Sequence, residues 1–234
     1  NIDDYVINVI QISKYIEYNK QTLSIHASNI HQFQGYYNKR RMSAARNPIK
    51  YTDEDVSNIV SNAEYTSKQA DQILENAKRL INQDQVNAAI GESAELYQKA
   101  ACLYKDASVK CGQLLQYKKP YTQQLALEYV QSIKMCISYA ESAVPEFRKS
   151  AFEFKTVGSI SFEINMMQAA EKLLDITANN IEHSYLESID SAIYTQMKNE
   201  QSDEYKQATT ILGALKDLPR KLKLQKKDMK EQIH

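Results

Sequence analysis

The chain has 234 residues, of which 43% are hydrophobic and 25% are charged, an ordinary composition for a folded protein. Its 29 basic and 29 acidic side chains balance, which removes the broad attraction to phosphate backbones that basic proteins show, so nucleic acid is not an expected partner. No apolar run approaches the roughly 18 to 20 residues that span a bilayer. Five Gly and four Pro are few for this length, and the sequence therefore predicts few turns and long helices.

The first predicted helix covers residues 3–46, because apolar side chains recur along it at helical spacing until Asn47-Pro48 ends the pattern. At about 1.5 Å per residue this helix is roughly 65 Å long. Helices of about thirty residues cannot cover that length alone, so we expect an elongated arrangement. The apolar face is formed by Val6, Val9, Ile16, Leu23, Ile30, Phe33 and Tyr37.

The next two predicted helices, 53–82 and 85–117, carry apolar and small residues at alternating steps of four and three. This spacing keeps one face of a helix toward a neighbour. Thr52 and the carboxylates after it suit the positive start of a helix, and Gln83-Asp84-Gln85 is the predicted turn between the two helices. The faces consist of Val56, Val60, Ala63, Ser67, Ala70, Leu74, Ala77 and Ile81, and of Ile90, Ala94, Tyr97, Ala101, Tyr104, Ser108, Cys111 and Leu115.

Three further helices are predicted at 121–155, 160–199 and 203–232, and Ser202-Asp203-Glu204 is expected to cap the last. Pro145 predicts a kink or a restart in the first of them, and the apolar pattern that continues beyond it favours the kink. The faces consist of Ala126, Val130, Ile133, Ile137, Ala140, Val144, Phe147, Ala151 and Phe154; of Ile160, Ile164, Met167, Ala170, Leu174, Ile181, Tyr185 and Ala192; and of Tyr205, Ala208, Leu212, Leu215, Leu218 and Leu222. The sequence thus predicts an all-α protein with six antiparallel helices, whose two chain ends, Asn1 and His234, lie on the same side.

The predicted face of residues 90–115 consists of alanine, serine and tyrosine more than of leucine or isoleucine. Such a face predicts either close approach of helices or a partly polar interior. Small residues also let helices slide with little loss of packing, and small helix shifts are an established way of transmitting a signal.

No grouping typical of an active site is present in the sequence, which has no P-loop, no Gly-rich dinucleotide loop and no G-x-S-x-G stretch. His26 and His31 are five residues apart and so lie on different faces of a helix, unlike the i, i+4 pair of a zinc site. Cys102, Cys111 and Cys136 lack a metal-ligand spacing and are interpreted as small apolar residues. We therefore expect no enzyme activity, no metal and no cofactor.

The candidate ligand-binding residues are two arginines and three tyrosines. Arg40 and Arg41 are candidates because a guanidinium group matches a carboxylate in two parallel hydrogen bonds. Tyr37 lies four residues before Arg41 on the same helix face, and Tyr97 and Tyr104 belong to the face of the third predicted helix. The alternatives are a solvated charged helix end for the arginines and partly wet tyrosines at the rim of a bundle.

Two stretches share a layout in which a helix end is followed by a short polar turn and an acidic helix start. In the first stretch, Ala44-Ala45-Arg46 is followed by the turn to Thr52-Asp53-Glu54-Asp55, and Ala94-Glu95-Leu96-Tyr97 comes later. The second stretch is the run from Ala192 to Asp203. Together they resemble the extracytoplasmic helical bimodular sensor domain of bacterial methyl-accepting chemotaxis receptors.

This resemblance implies two stacked four-helix bundles that share two long helices, and a small organic acid or similar metabolite bound inside one bundle. Arg40 or Arg41 would be the nearest matches to the family's ligand-binding arginines. The resemblance further implies a homodimer in the full receptor, an extracytoplasmic (periplasmic or extracellular) location, and membrane contact only through segments outside this sequence.

Two other functions remain open from the sequence. Residues 87–100 also resemble the second helix of microtubule-interacting-and-trafficking domains and of tetratricopeptide-like repeats, which are intracellular helix hairpins that dock partner helices. The absence of a clear 34-residue period weighs against the repeat version. A structural surface or coat protein is the third possibility.

Overall fold

The structure is a computed structural model that describes residues 51–115, 117, 126–188 and 203–233. Within these ranges the regular secondary structure is entirely helical, which confirms the predicted all-α class for the described part of the chain. Five α-helices are present there, and they all belong to one compact unit, Tyr51–His234. They are α1 (Asp53–Ala77), α2 (Gln83–Leu114), α3 (Ala126–Thr156), α4 (Ile160–Asn180) and α5 (Asp203–Ile233), with a π-helical turn at Ile181–Tyr185 after α4.

Helix α1 begins where the sequence predicts. The Thr52 hydroxyl accepts a hydrogen bond from the backbone amide of Asp55, and the Asp55 carboxylate accepts one from the Thr52 amide at 2.7 Å. This reciprocal capping box satisfies two amides that have no partner within the helix. The predicted start at Thr52 is therefore confirmed.

The predicted end of this helix and the predicted turn after it are wrong. Helix α1 stops at Ala77, and Ile81, expected on its apolar face, is 102% exposed. Asn82 caps α2, since its side-chain oxygen accepts hydrogen bonds from the amides of Asp84 at 2.8 Å and Gln85 at 3.1 Å. An Asn cap of this kind starts a helix, so the predicted turn residues Gln83 to Gln85 form the first turn of α2.

The predicted face of α2 is confirmed along its whole length, because each of its eight residues is buried or half-buried. A second row of buried small residues lies beside it, formed by Ser93, Ala100 and Ala107. Helix α2 has two buried rows because it packs between α1 on one side and α3 on the other. The hydrogen bonds between helices pair early residues of one helix with late residues of the next, so α1, α2 and α3 run antiparallel in turn.

Helix α3 continues without interruption through Pro145, so the predicted restart does not occur. Pro145 lies on the exposed side, while Val144 and Phe147 on either side of it are buried. The missing backbone hydrogen bond of the proline therefore faces solvent, where water can satisfy the carbonyl that has lost its partner.

The predicted apolar face of α4 is not buried at the start of the helix. Ile160 and Ile164 are exposed, whereas Ala170, Leu174 and Ile181 are buried as expected. Periodicity defines a face, but it does not show how far the neighbouring helix extends along it. The predicted single helix 160–199 is interrupted by the π-helical turn, and its predicted residues beyond 188 lie outside the described residues.

Helices α4 and α5 pack on each other and on α3. A row of ion pairs shows that α4 and α5 run antiparallel. Lys223 bonds Glu182 of the π-helical turn at 2.7 Å, while Lys230, later in α5, bonds Glu171, earlier in the chain, at 3.1 Å. Lys226 lies between them, 3.0 Å from Asp175. The predicted face of α5 is confirmed, since its six residues are buried or half-buried.

The described helices form two three-helix groups that share α3. Helices α1, α2 and α3 make one group, and α3, α4 and α5 make the other. The predicted first helix, 3–46, and the chain ends Asn1 and His234 lie outside the described residues, as does the predicted capping residue Ser202. The six-helix count and the two stacked four-helix bundles therefore stay predictions. Of the helices described, none is long and apolar enough to cross a membrane.

Candidate functional site

The interface of α1, α2 and α3 contains a group of interacting polar side chains, which we call the polar cluster. It consists of Ser67, Asp71, Tyr97, Glu146 and Lys149. Glu146 is 7% exposed and Tyr97 is 3% exposed. Buried polar groups need hydrogen-bond partners, and a buried carboxylate needs them most.

Glu146 is held by two neighbours. The Ser67 hydroxyl, from α1, donates a hydrogen bond to one carboxylate oxygen at 2.9 Å. The Lys149 ammonium, one turn further along α3, lies 3.1 Å from the other oxygen. The carboxylate thereby joins α1 to α3.

Tyr97 connects the same region to α2. Its hydroxyl donates a hydrogen bond of 2.5 Å to the Asp71 carboxylate of α1. The Lys149 ammonium lies 5.1 Å from the centre of the Tyr97 ring, a distance at which a cation is attracted by the face of an aromatic ring. One ammonium group is therefore held by a carboxylate and an aromatic ring together.

The helices approach each other closely on both sides of the cluster. The Ser93 hydroxyl of α2 donates to the backbone carbonyl of Ala70 in α1 at 3.1 Å, and the Ser150 hydroxyl of α3 donates to that of Ala94 in α2 at 2.7 Å. Such bonds require a small side chain that is also a donor, which serine supplies. This explains why the sequence places serine and alanine here, and it supports the predicted close approach.

Burial changes the acid–base properties of the tyrosines. The pKa of Tyr97 is raised well above its usual value, first by burial and then by the hydrogen bond to Asp71 and the charge of that carboxylate. The pKa of Tyr104 is raised by burial and by the negative charges of Glu64 and Glu146. Both phenols therefore stay protonated at physiological pH, and Tyr97 is a neutral hydrogen-bond donor to Asp71.

The predicted ligand-binding residues have different outcomes. Tyr97 belongs to the polar cluster, and Tyr104 is half-buried on the same helix, two turns away. Tyr37, Arg40 and Arg41 lie outside the described residues, so their role stays a prediction.

Sequence reasoning missed Asp71, Glu146 and Lys149. A signal for Glu146 was present, because it lies three residues after Ala143 and four before Ser150, at helical spacing in the same buried row. A charged residue in such a row is expected to have a partner. No similar signal identifies Asp71, because it is exposed. It joins the polar cluster because the Tyr97 side chain is long enough for its hydroxyl to reach the Asp71 carboxylate.

The described residues contain no group of three or more His, Cys, Asp or Glu side chains placed to hold a metal ion. The polar cluster has two carboxylates and one ammonium group, and this charge balance suits hydrogen bonding to a cation better than to an anion.

No family model matches this chain, and no curated protein matches it. A solved structure that does match comes from work described as "Computational Design of Self-Assembling Cyclic Protein Homooligomers". The two sequences are 18% identical, the match covers 80% of this chain and 90% of that chain, and the TM-score is 0.31. At so low a TM-score the likeness supports no conclusion about assembly or function.

Proposed function

We propose that this chain is the ligand-sensing domain of a transmembrane signal-transduction receptor of the chemoreceptor kind. It binds a small polar metabolite between helices and transmits a helix displacement. The observation that supports this function is the polar cluster, in which buried Glu146 and Tyr97 lie among small residues between three helices. A core that served stability alone would be filled with larger apolar side chains.

The composition of the interface favours movement between helices. Residues Ala63, Ala94 and Ala101 are fully buried, so the contact surfaces of α1 and α2 have few large side chains to interlock. A ligand that exchanges hydrogen bonds with Glu146 or Tyr97 would change the partners of α1, α2 and α3 at once. Shifts of about 1–2 Å between packed helices are sufficient to carry a signal.

The charges of the cluster favour a ligand that carries an amino group. Glu146 and Tyr97 already hold the ammonium group of Lys149, so a ligand ammonium group can replace it with the same contacts. An organic acid would meet two carboxylates there. Its binding would depend on Arg40 or Arg41, which lie outside the described residues.

The test is thermal unfolding of the protein in the presence of separate amines, amino acids and organic acids. Binding to the native state raises the unfolding temperature, and we expect amines or amino acids to raise it by a few degrees. Tyr97→Phe and Glu146→Gln should each weaken binding about tenfold or more, since each removes a charged or hydrogen-bonding contact. Tyr65→Phe is the matched control, because Tyr65 is an exposed tyrosine of α1.

The proposal is contradicted if no compound raises the unfolding temperature of the folded protein. An organic acid whose effect is lost in Arg41→Ala but kept in Glu146→Gln would show that the ligand binds elsewhere than at the polar cluster. The receptor context has its own test, because the full-length gene should encode apolar stretches of about twenty residues outside both ends of this sequence. In that receptor we expect two copies of the domain to pair.

A second candidate function, the docking of an amphipathic helix from a partner protein, is favoured by one observation. Exposed apolar side chains concentrate where α3 leads into α4, at Phe152, Ile160, Phe162 and Ile164. The test is fluorescence anisotropy with labelled peptides that carry leucine at i, i+3, i+4 and i+7. Binding that is lost in a Phe152→Ser, Phe162→Ser double variant would support this candidate, and no binding would exclude it.

A further inference from the structure

The cysteines occupy two different environments. Cys102 is exposed on α2, whereas Cys111 of α2 and Cys136 of α3 are buried. The expectation that cysteines act as small apolar residues is therefore met by Cys111 and Cys136 and is wrong for Cys102. All three are thiols, and none is in a disulfide.

Reciprocal hydrogen bonds hold the two buried cysteines against each other's helix. The Cys136 thiol donates to the backbone carbonyl of Ser108, one turn before Cys111, at 3.1 Å. The Cys111 thiol donates to the backbone carbonyl of Ser132, one turn before Cys136, at 3.6 Å. The Ser108 hydroxyl adds a bond of 2.7 Å to the Cys136 carbonyl. The two side chains thus lie at the same level of the α2–α3 contact.

The helices approach closely at this level because Gly112 has no side chain. A Cβ atom at Gly112 would lie 3.3 Å from the sulfur of Cys136 and 3.1 Å from the hydroxyl of Tyr185. A disulfide needs two cysteines that face each other closely, and the contact of each thiol with the backbone of the other helix places both cysteines in the α2–α3 contact at the same level.

The hydroxyl of Tyr185 is a third polar group beside the two thiols. It lies in the π-helical turn that follows α4, and its hydroxyl is 3.5 Å from the sulfur of Cys136. π-Helical turns recur at functional sites. The pKa of Cys136 is lowered by the hydrogen bond from Cys111, helped by Tyr185 and Ser108 and opposed by burial.

We propose that Cys111 and Cys136 are an oxidation site, at which hydrogen peroxide converts the two thiols into a disulfide between α2 and α3. In the first step the Cys136 thiol gives up its proton and its sulfur attacks one oxygen of hydrogen peroxide; the O–O bond breaks, a sulfenic acid forms, and the leaving hydroxide takes up the released proton and departs as water. In the second step the Cys111 sulfur attacks the Cys136 sulfur, the S–O bond breaks and a second water leaves. Two thiols are oxidised by two electrons, and one peroxide is reduced to two waters.

Tyr185 is a positioning residue in this reaction. Its pKa is raised by burial and by its neighbouring thiols, so it remains protonated and can donate a hydrogen bond to the Cys136 thiolate. The buried position of the thiols also selects the oxidant. A small peroxide reaches them more readily than a bulky disulfide such as oxidised glutathione.

The experiment treats the full chain carrying Cys102→Ser with hydrogen peroxide, since this change removes the exposed thiol and leaves the buried pair intact. We expect the intact mass to fall by about 2 Da, which a reductant reverses. Peptide mapping without reduction should join the peptides of Cys111 and Cys136. Oxidised glutathione should act at least tenfold more slowly, and Tyr185→Phe should slow the peroxide reaction several-fold.

Adding Cys111→Ala or Cys136→Ala should abolish the loss of 2 Da, and circular dichroism checks that each variant is folded. The proposal is overturned if the folded protein with Cys102→Ser gains oxygen atoms on a cysteine without forming the disulfide. It is equally overturned if peroxide leaves the pair unchanged, or if either alanine variant still loses the 2 Da. The outcome is independent of ligand binding at the polar cluster.

Discussion

The sequence predicts that Tyr97 faces other helices, and the structure adds its chemistry. A tyrosine at this spacing could equally place its hydroxyl in solvent at the rim of the bundle. The structure gives the hydroxyl a partner, Asp71, on a different helix and 26 positions earlier in the chain. Spacing along one helix cannot identify such a partner, because it depends on how the two helices are aligned.

We predict that the protein loses stability in alkali because of its buried phenols. The pKa of Tyr97 is raised in the folded protein, as are those of Tyr104, Tyr139 and Tyr185. An exposed phenol loses its proton near pH 10. Above that pH the unfolded chain has lost protons that the folded protein retains, so the free energy of unfolding falls as pH rises, by at most about 1.4 kcal/mol per pH unit for each such group.

Urea unfolding at several values between about pH 9 and 11 measures this decline. In Tyr97→Phe the slope with pH should be smaller, because one titrating phenol has been removed. An equal slope in Tyr97→Phe and in the parent protein would contradict the prediction.

Helices are the scale at which sequence reasoning succeeds best, and their ends are where it fails. The start of α1 at Thr52 follows from a local capping pattern. Its end at Ala77 does not, because the apolar spacing continues to Ile81 although the backbone has left the helix. The Asn82 cap starts the next helix, so it sets the boundary between α1 and α2 in place of the apolar spacing.

We predict that the close contact of α2 with its neighbours does not tolerate a larger side chain. Ala101 is fully buried between helices, so Ala101→Leu forces the helices apart and should cost about 1–3 kcal/mol of stability. Ala88→Leu is the matched control, because Ala88 is exposed on the same helix, and its effect should stay within about 0.5 kcal/mol.

Urea unfolding of the two variants provides the measurement. Equal stability of Ala101→Leu and the parent protein would mean that the interface has room for three more carbon atoms. That result would contradict the close approach of the helices.

Across the described part of the molecule, α3 is the element that holds the others together. It packs on α2, α4 and α5 and is bonded to α1 through Glu146. The sequence does not reveal this, because the apolar spacing of α3 resembles that of the other helices. Two rows of buried residues, including Ile133 and Cys136, show that α3 has neighbours on more than one side.

We predict that α3 is the most protected helix in hydrogen exchange. Amides exchange slowly when opening them disrupts many packed contacts, and opening α3 separates both three-helix groups. Peptides from the middle of α3 should exchange about tenfold or more slowly than peptides from the middle of α1, which packs mainly on α2. Deuterium exchange followed by mass spectrometry measures both. Equal protection of α1 and α3 would contradict the shared role of α3.

The sequence by itself determined the helical class, the buried faces of α2, α3 and α5, and the start of α1. These features depend on interactions between residues a few positions apart, which the order of residues fixes directly. Only the tertiary structure decided that Glu146 meets Ser67, that Cys111 and Cys136 lie at the same level of the α2–α3 contact, and that Ile160 remains exposed. Those features depend on which helices become neighbours and at what level, and residues distant in the chain set that alignment together.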